Sequence, residues 1–365
     1  MTRIEPYSDK EVKFVLENLL EDKKFLNFVK ENLNSSTSKF LSIPGSKFLA
    51  LQLFKSKVRK ISTIDEFQDQ VMIVLKSVIN QTMDNFSYSG LDQLDINKPY
   101  LFISNHRDIT LDSALCNYAI HSTGLKTTHN AIGDNLVSIN WMGDLLRLNK
   151  SFVVPRGGES KKQIYNNLFN VSNYIRNTLK AGNHIWIAQR QGRAKDGFDK
   201  TDPAVLKMLH IALRKNGTFE DLTKHYNIIP CSVSYEFDPL AKEKAKQDIN
   251  AENKKEEDDI KHIFRGIMEH KGLVHLNFGE QVTGSYSPDD LAREIDRSII
   301  GNYKVWDTNM YAYKYLHEQV NDEDFPRASS YFNELRTSMT NKELEYIMNQ
   351  YSNPLIAKGE FKNER

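Results

Sequence analysis

The sequence predicts an α/β protein in which a mostly parallel or mixed central sheet is flanked by helices and carries helical N- and C-terminal additions. Two observations predict this. From Phe86 onward, seven short apolar runs rich in β-branched and aromatic residues alternate with stretches of helical length, the texture of an α/β sheet. On either side of them the apolar residues recur at helical spacing instead. The chain has 365 residues, enough for roughly two domains of about 150 residues or one large domain with additions. Three regions are read from it: a helical one at 1–82, an α/β core at 83–285 and a helical one at 286–365.

In the first region Val12, Phe14, Val15, Leu19 and Leu20 fall near helical spacing, as do Ile64, Phe67, Val71, Met72, Leu75, Val78 and Ile79. Between them Asn34, Ser35, Ser36, Pro44 and Gly45 break the pattern. The stretch Ser46–Lys60 then carries five bases, no acid, and Phe48, Leu49, Leu51, Leu53 and Phe54. Strands are expected at 86–91, 100–104, 129–133, 151–155, 184–188, 227–237 and 273–279. Helices are expected at 112–122, 138–148, 161–181 and 203–215, the last with Pro203 in its first turn and Asp202 as its cap. The mixed-sign stretch at 240–262 reads as a solvated helical excursion with no function of its own. Ser287, Pro288, Asp289 and Asp290 start a helix running to about Asn302.

Composition excludes several classes. Lys and Arg number 49 against 48 Asp and Glu, a net charge of +1, which rules out a uniformly basic nucleic-acid coat. Phe152 and Trp186 lie inside strand patterns rather than interleaved with bases, so no nucleic-acid partner is expected. Cys116 and Cys231 are too few for a disulfide framework and lack metal-ligand spacing, so neither disulfide nor metal is expected. Acids and lysines interrupt the apolar positions of the N-terminus, against a secretory signal. No apolar run approaches the roughly 18 residues needed to cross a bilayer. The expected location is cytoplasmic, in solution or on a membrane surface.

The first chemical constellation is SNHRDITLD, Ser104–Asp112, a strand-to-helix turn. His106, just past a buried strand, would face the crevice where open α/β sheets bind ligands. A carboxylate on its Nδ1 would fix the tautomer and leave Nε2 free as a base. Asp108 and Asp112 are both candidates, and either, with Thr110, also suits a helix cap. The second feature is charge. From Arg147 to Lys200 there are eleven bases and three acids, a local balance of +8 that leaves the rest of the chain at −7. Arg156 follows one strand, and Arg190 and Arg193 follow another, so these guanidiniums are expected at the sheet edge of His106, facing an anionic substrate. Gly192 and Gly197 would let backbone approach a ligand closely.

In this order the blocks resemble the glycerolipid acyltransferases of the lysophosphatidic acid acyltransferase type, over roughly residues 86–240. Asn105, His106 and Asp112 are similar to the family's NH-x4-D block, in a spelling, HRDxxLD, like that of a bacterial branch. SFVVPR, ending in Arg156, is similar to the second block, IAQRQGR to the third, and NIIPCSV, with Pro230, to the fourth. GDNL, Gly133–Leu136, stands at the place of a short substrate-side motif. Two features depart from the pattern. Five residues rather than four separate His106 from Asp112, and Gln191 stands where the family has Glu. An amide can hydrogen-bond a hydroxyl but carries no charge.

The resemblance implies acyl transfer to an alcohol from a thioester, acyl-CoA or acyl carrier protein, with no metal or organic cofactor. His106 would take the acceptor's proton, oriented by Asp112 or Asp108. Asn105, Arg107, Arg156, Arg190, Gln191, Gly192, Arg193 and Lys195 would hold the substrate, with Arg156 and Arg193 on its phosphate or other anionic head and Lys195 nearby. Lysophosphatidic acid is the leading acceptor. A lyso-amino-acid lipid or glycerol 3-phosphate is the alternative, as is a lipid- or acyl-carrier-binding protein with weakened catalysis. Such substrates imply peripheral attachment to an anionic membrane surface on the inner face of the cell membrane. Ser46–Lys60 has the composition for it, and equally that of a helix packed on the core with its lysines reaching out.

Overall fold

The computed structural model describes residues 3–33, 46–249 and 256–363. The chain-breaking residues expected between 34 and 45, and residues 250–255 of the charged excursion, lie outside that range. Four helices come first: α1 (Asp9–Glu21), α2 (Lys23–Leu33), α3 (Ser46–Val58) and α4 (Ile64–Thr82). There follow β1 (Asn85–Ser89), β2 (Leu101–Ser104), α5 (Leu111–Ser122), β3 (His129–Gly133), α6 (Asn140–Leu148), β4 (Ser151–Val154), α7 (Lys161–Lys180) and β5 (Ile185–Ala188). Then come α8 (Pro203–His210), α9 (Leu222–His225), β6 (Ile228–Tyr235), α10 (Ala241–Ile249), α11 (Glu256–Met268) and β7 (Leu273–Phe278). Four helices close the described chain: α12 (Pro288–Asn302), α13 (Asp307–His317), α14 (Pro326–Arg336) and α15 (Asn341–Asn363).

Each of the seven expected strand runs contains a strand. The caps also fall where the residue types place them: Asp202 accepts from Ala204 N–H at 2.8 Å ahead of Pro203, and Ser287 Oγ from Asp290 N–H at 3.2 Å ahead of Pro288. The helix expected to reach 215 stops at His210 and tightens into a 3-10 turn over Ile211–Leu213. Ser172 of α7 is the cause. Its hydroxyl accepts from Ala212 N–H at 2.9 Å and donates to the Leu209 carbonyl at 3.0 Å, taking over bonds that a continuing helix would make within itself.

The chain folds as two compact units, Met1–Val74 with His129–Glu159, and Leu75–Thr128 with Ser160–Arg365. This division cuts across the three sequence regions. In the smaller unit β3 and β4 pair in parallel, and the Ile4 carbonyl accepts from Val153 N–H at 2.9 Å. Trp141 of α6 lies against Phe25 and Phe28 of α2, with ring centroids 5.8 and 5.0 Å apart. On α3, Leu51 is buried and Phe54 lies 6.3 Å from Phe25, whereas Leu53 is 58% exposed. The side chains of Phe48 and Leu49 lie outside the described residues.

The larger unit holds five strands in the order β1-β7-β6-β2-β5. All neighbours are parallel except β6 and β7, so the sheet is mixed. Every residue of β6 is buried, the signature of a strand covered on both faces. Because β2 and β5 run in parallel, the chain leaving each emerges at the same sheet edge, the usual place for a ligand.

Helices α13 to α15 build a second apolar cluster in this unit around Tyr311, Phe332, Ile347 and Met348. Here the structure corrects the reading of 240–262 as solvated. Ala241 and Ala245 of α10 are buried in that cluster, and Lys244 between them is fully buried. Among the described residues no helix is long and apolar enough to cross a membrane.

Candidate active site

The turn after β2 places His106 at the sheet edge with its side chain 16% exposed. Its Nδ1 lies 2.9 Å from Asp112 Oδ2, and Nε2 has no hydrogen-bond partner among the described residues. The same Oδ2 accepts the backbone N–H of Arg107 at 2.6 Å and of Asp108 at 2.9 Å, while Oδ1 accepts the Tyr235 hydroxyl at 2.9 Å. Four donors thus hold one buried carboxylate in place. An acceptor facing Nδ1 makes Nδ1–H the favoured tautomer and leaves the Nε2 lone pair available. Burial, and then the Asp112 charge, push the Tyr235 phenol well above its ordinary range, so it stays a donor. The Trp186 ring meets the imidazole edge-on, with centroids 6.1 Å apart.

The choice between the two aspartates follows from the backbone. Asp108 Oδ1 accepts from Thr110 N–H at 2.9 Å and Leu111 N–H at 2.8 Å, so Asp108 starts α5 and Asp112 faces the imidazole. Burial, followed by the nearby Asp112 charge, raises the Asp108 carboxyl above its usual range. Asn105 and Arg107, read from the sequence as substrate-binding, are turned inward. Asn105 is fully buried, accepts from Val233 N–H at 2.8 Å, and donates to the Val233 carbonyl and to Asp199 at 3.0 Å. Arg107 donates to Asp199 at 2.6 Å and to the Gly197 carbonyl at 3.0 Å, and its guanidinium lies over Tyr303. Burial alone would weaken the Arg107 charge, but the Asp199 carboxylate outweighs it and raises its pKa. Internal bonding of this kind makes both side chains scaffold.

The loop after β5 is tied to the histidine turn by one backbone bond, Ala194 N–H to the His106 carbonyl at 2.7 Å. Within it Arg193 is partly exposed and makes no ion pair among the described residues, though its charge acts on Asp108 and Asp238, and its Nη1 is buried without a hydrogen-bond partner there. Arg190 lies 3.7 Å from Asp196 on its own loop. Gln191 and Gly192 are exposed at the tip, where Gly192 takes φ +79°, a left-handed turn that glycine adopts without strain. Lys195 is the correction here: it bonds Asp248 of α10 at 2.6 Å, and Asp248 in turn accepts the Tyr346 hydroxyl at 2.6 Å. Its charge is paired with Asp248 at the surface, where both side chains remain about one-third exposed (33% and 38%).

Arg156 belongs to the smaller unit. There its backbone N–H donates to Asp134 at 3.1 Å, and its guanidinium crosses Gly133, where an added Cβ would lie 2.7 Å from Nε. Arg156 and the GDNL segment therefore form one feature of that unit.

Sequence reasoning missed three contributors. Tyr235 read only as part of a strand, Lys244 lay in a charged run, and the C-terminal helices gave no signal of contact with this loop. Asn353 of α15 donates to the Asp196 carbonyl at 2.8 Å, and the Gln350 carbonyl approaches Gly197 so closely that a Cβ there would sit 2.1 Å away. An arginine with no ion pair among the described residues, on a loop bonded to the turn of an imidazole held at Nδ1, is an arrangement able to bind an anionic group and to take a proton from a neighbouring hydroxyl.

Two comparisons with known proteins find a likeness. Residues 85–234 match the family model Acyltransferase. The solved 1-acyl-sn-glycerophosphate (LPA) acyltransferase PlsC from Thermotoga maritima is similar at 11% identity and a TM-score of 0.41, over 65% of this chain and 78% of that chain. No curated protein matches. The family match runs from β1 into β6 and includes both the histidine turn and the Arg193 loop, so this part of the chain is similar to acyltransferases, which supports an acyl-transferring enzyme.

Proposed function

We propose that the enzyme moves a fatty acyl group from acyl-CoA or acyl carrier protein to the hydroxyl of lysophosphatidic acid or a related lyso-lipid, in phospholipid synthesis. The observation that carries this is His106, fixed through Nδ1 on Asp112 with Nε2 free of partners among the described residues, beside a loop bearing Arg193, whose buried Nη1 has no hydrogen-bond partner there. Nε2 takes the acceptor's proton as its oxygen attacks the thioester carbonyl. The tetrahedral adduct then expels the thiolate, which receives that proton back from the imidazolium. No electrons are left over, and no cofactor is required. General-base assistance of this kind contributes about 10²- to 10⁴-fold, and holding the acceptor's phosphate on Arg193 adds positioning.

The test is transfer from labelled acyl-CoA and acyl carrier protein to lysophosphatidic acid, glycerol 3-phosphate and a lyso-amino-acid lipid. His106→Ala is expected to lower turnover on the true acceptor by about 10³-fold. Unchanged turnover removes the base. Lipid binding with no turnover on any acceptor favours a binding protein, and a preference for the amino-acid lipid would trace to the uncharged Gln191.

For a lipid acceptor we place the enzyme on the anionic inner face of the cell membrane. On α3 the exposed Leu53 supports contact with lipid, whereas Leu51 and Phe54 turn inward. Leu53→Asp is expected to weaken flotation with anionic vesicles severalfold. Undiminished flotation removes α3 from the contact.

A further inference from the structure

Two successive peptide groups follow His106, and each is gripped at both ends. In the first, the His106 carbonyl accepts from Ala194 N–H at 2.7 Å and the Arg107 N–H donates to Asp112 Oδ2 at 2.6 Å. In the second, the Arg107 carbonyl accepts from Lys244 Nζ at 2.8 Å and the Asp108 N–H donates to the same Oδ2 at 2.9 Å. We infer that Lys244 of α10 is a positioning residue for His106: it holds the second peptide group from behind, and so fixes the carboxylate oxygen against which the imidazole rests.

Lys244 is fully buried, and its other partner is Asp238 Oδ2 at 2.5 Å. Asp238 is itself held from α15, by Gln350 Nε2 on its carboxylate at 2.6 Å and by the Tyr351 hydroxyl, which accepts its backbone N–H at 2.6 Å. Burial draws the Lys244 ammonium below its ordinary range, with Asp238 opposing. Burial would raise Asp238, but the Lys244 charge holds it below.

A buried ion pair is a poor device for stability alone, since a well-packed apolar pair of similar volume often serves as well or better. An apolar pair cannot donate to a carbonyl. A cation on the carbonyl oxygen also polarises the peptide group and strengthens the N–H at its other end, here the one on Asp112. Without Lys244 that peptide group is free to turn, Asp112 loses a donor, and its carboxylate oxygen is no longer held in place against Nδ1.

The inference rests on His106 being the base, and the experiment separates the two. The full chain is labelled with 15N-histidine, and the His106 ring is followed by NMR in wild type, Lys244→Met, and Asp238→Asn combined with Lys244→Met. The double variant removes both buried charges, so it stays folded if the single one does not. In both variants the Nδ1–H tautomer of wild type is expected to give way to a mixture. The kcat should fall about tenfold at unchanged KM, as for a small misplacement of a reacting group. An unchanged tautomer or an unchanged kcat in the folded double variant overturns the role given to Lys244. Full turnover in His106→Ala overturns the base instead, and the tautomer then decides the Lys244 question without it.

Discussion

The turn after β2 and the loop after β5 emerge side by side from parallel strands, yet they are built on opposite plans. In the first, the carbonyls and N–H groups around His106 are bonded to fixed partners, and Asp112 alone collects four donors. In the second, Arg193 keeps a buried nitrogen without a partner, while Gln191 and Gly192 stand exposed. On the proposed function, the difference teaches which part of the work each would do. A base is effective when its geometry is settled before substrate arrives, whereas an anion site needs donors that nothing else has claimed.

The contrast is broken most severely at Asp112. Asp112→Asn puts an amide where the carboxylate accepts from the imidazole and two backbone groups. It is expected to lower kcat by about 10³-fold with KM little changed, as wrong-tautomer substitutions do in histidine-dependent hydrolases. Steady-state kinetics on the acceptor checks it, and a fall in KM-limited rate alone would assign Asp112 to binding. Next is Gly197, at φ +86° with the Gln350 carbonyl against it. Gly197→Ala is expected to destabilise the fold by about 2–3 kcal/mol, from the left-handed backbone and the displaced carbonyl together. A denaturant midpoint equal to wild type would show that the loop does not depend on α15. The mildest is Arg193→Ala, expected to raise the acceptor KM about 10- to 30-fold at nearly constant kcat, the worth of a charged hydrogen bond. A loss confined to kcat would place Arg193 with the turn instead.

The strands were legible because a buried strand needs β-branched and aromatic residues in short runs, and FSYSGL, YLFIS and HIWIA have them. The histidine turn was legible for a similar reason: polar residues clustered directly after such a run have few other uses. The partner of His106 was not, since Asp108 and Asp112 are both within reach of a turn whose path depends on which N–H groups fold inward. Asn105 and Arg107 were misplaced because polarity says that a residue needs partners without saying whether these are solvent, substrate or protein. Lys244 was lost in a run of charges whose solvated look holds for most members and fails for the one that meets Asp238. The grouping of β3 and β4 with the N-terminal helices carries no local signal at all.

The hydrogen bond from Asn353 to the Asp196 carbonyl joins residues 157 positions apart. Closing so long a span is slow relative to forming a helix or a neighbouring strand pair. During synthesis, the loop bearing Arg193 therefore takes its braced shape only after α15 has left the ribosome. A chain cut short before that helix would lose the brace on this loop together with the Gln350 and Tyr351 bonds to Asp238.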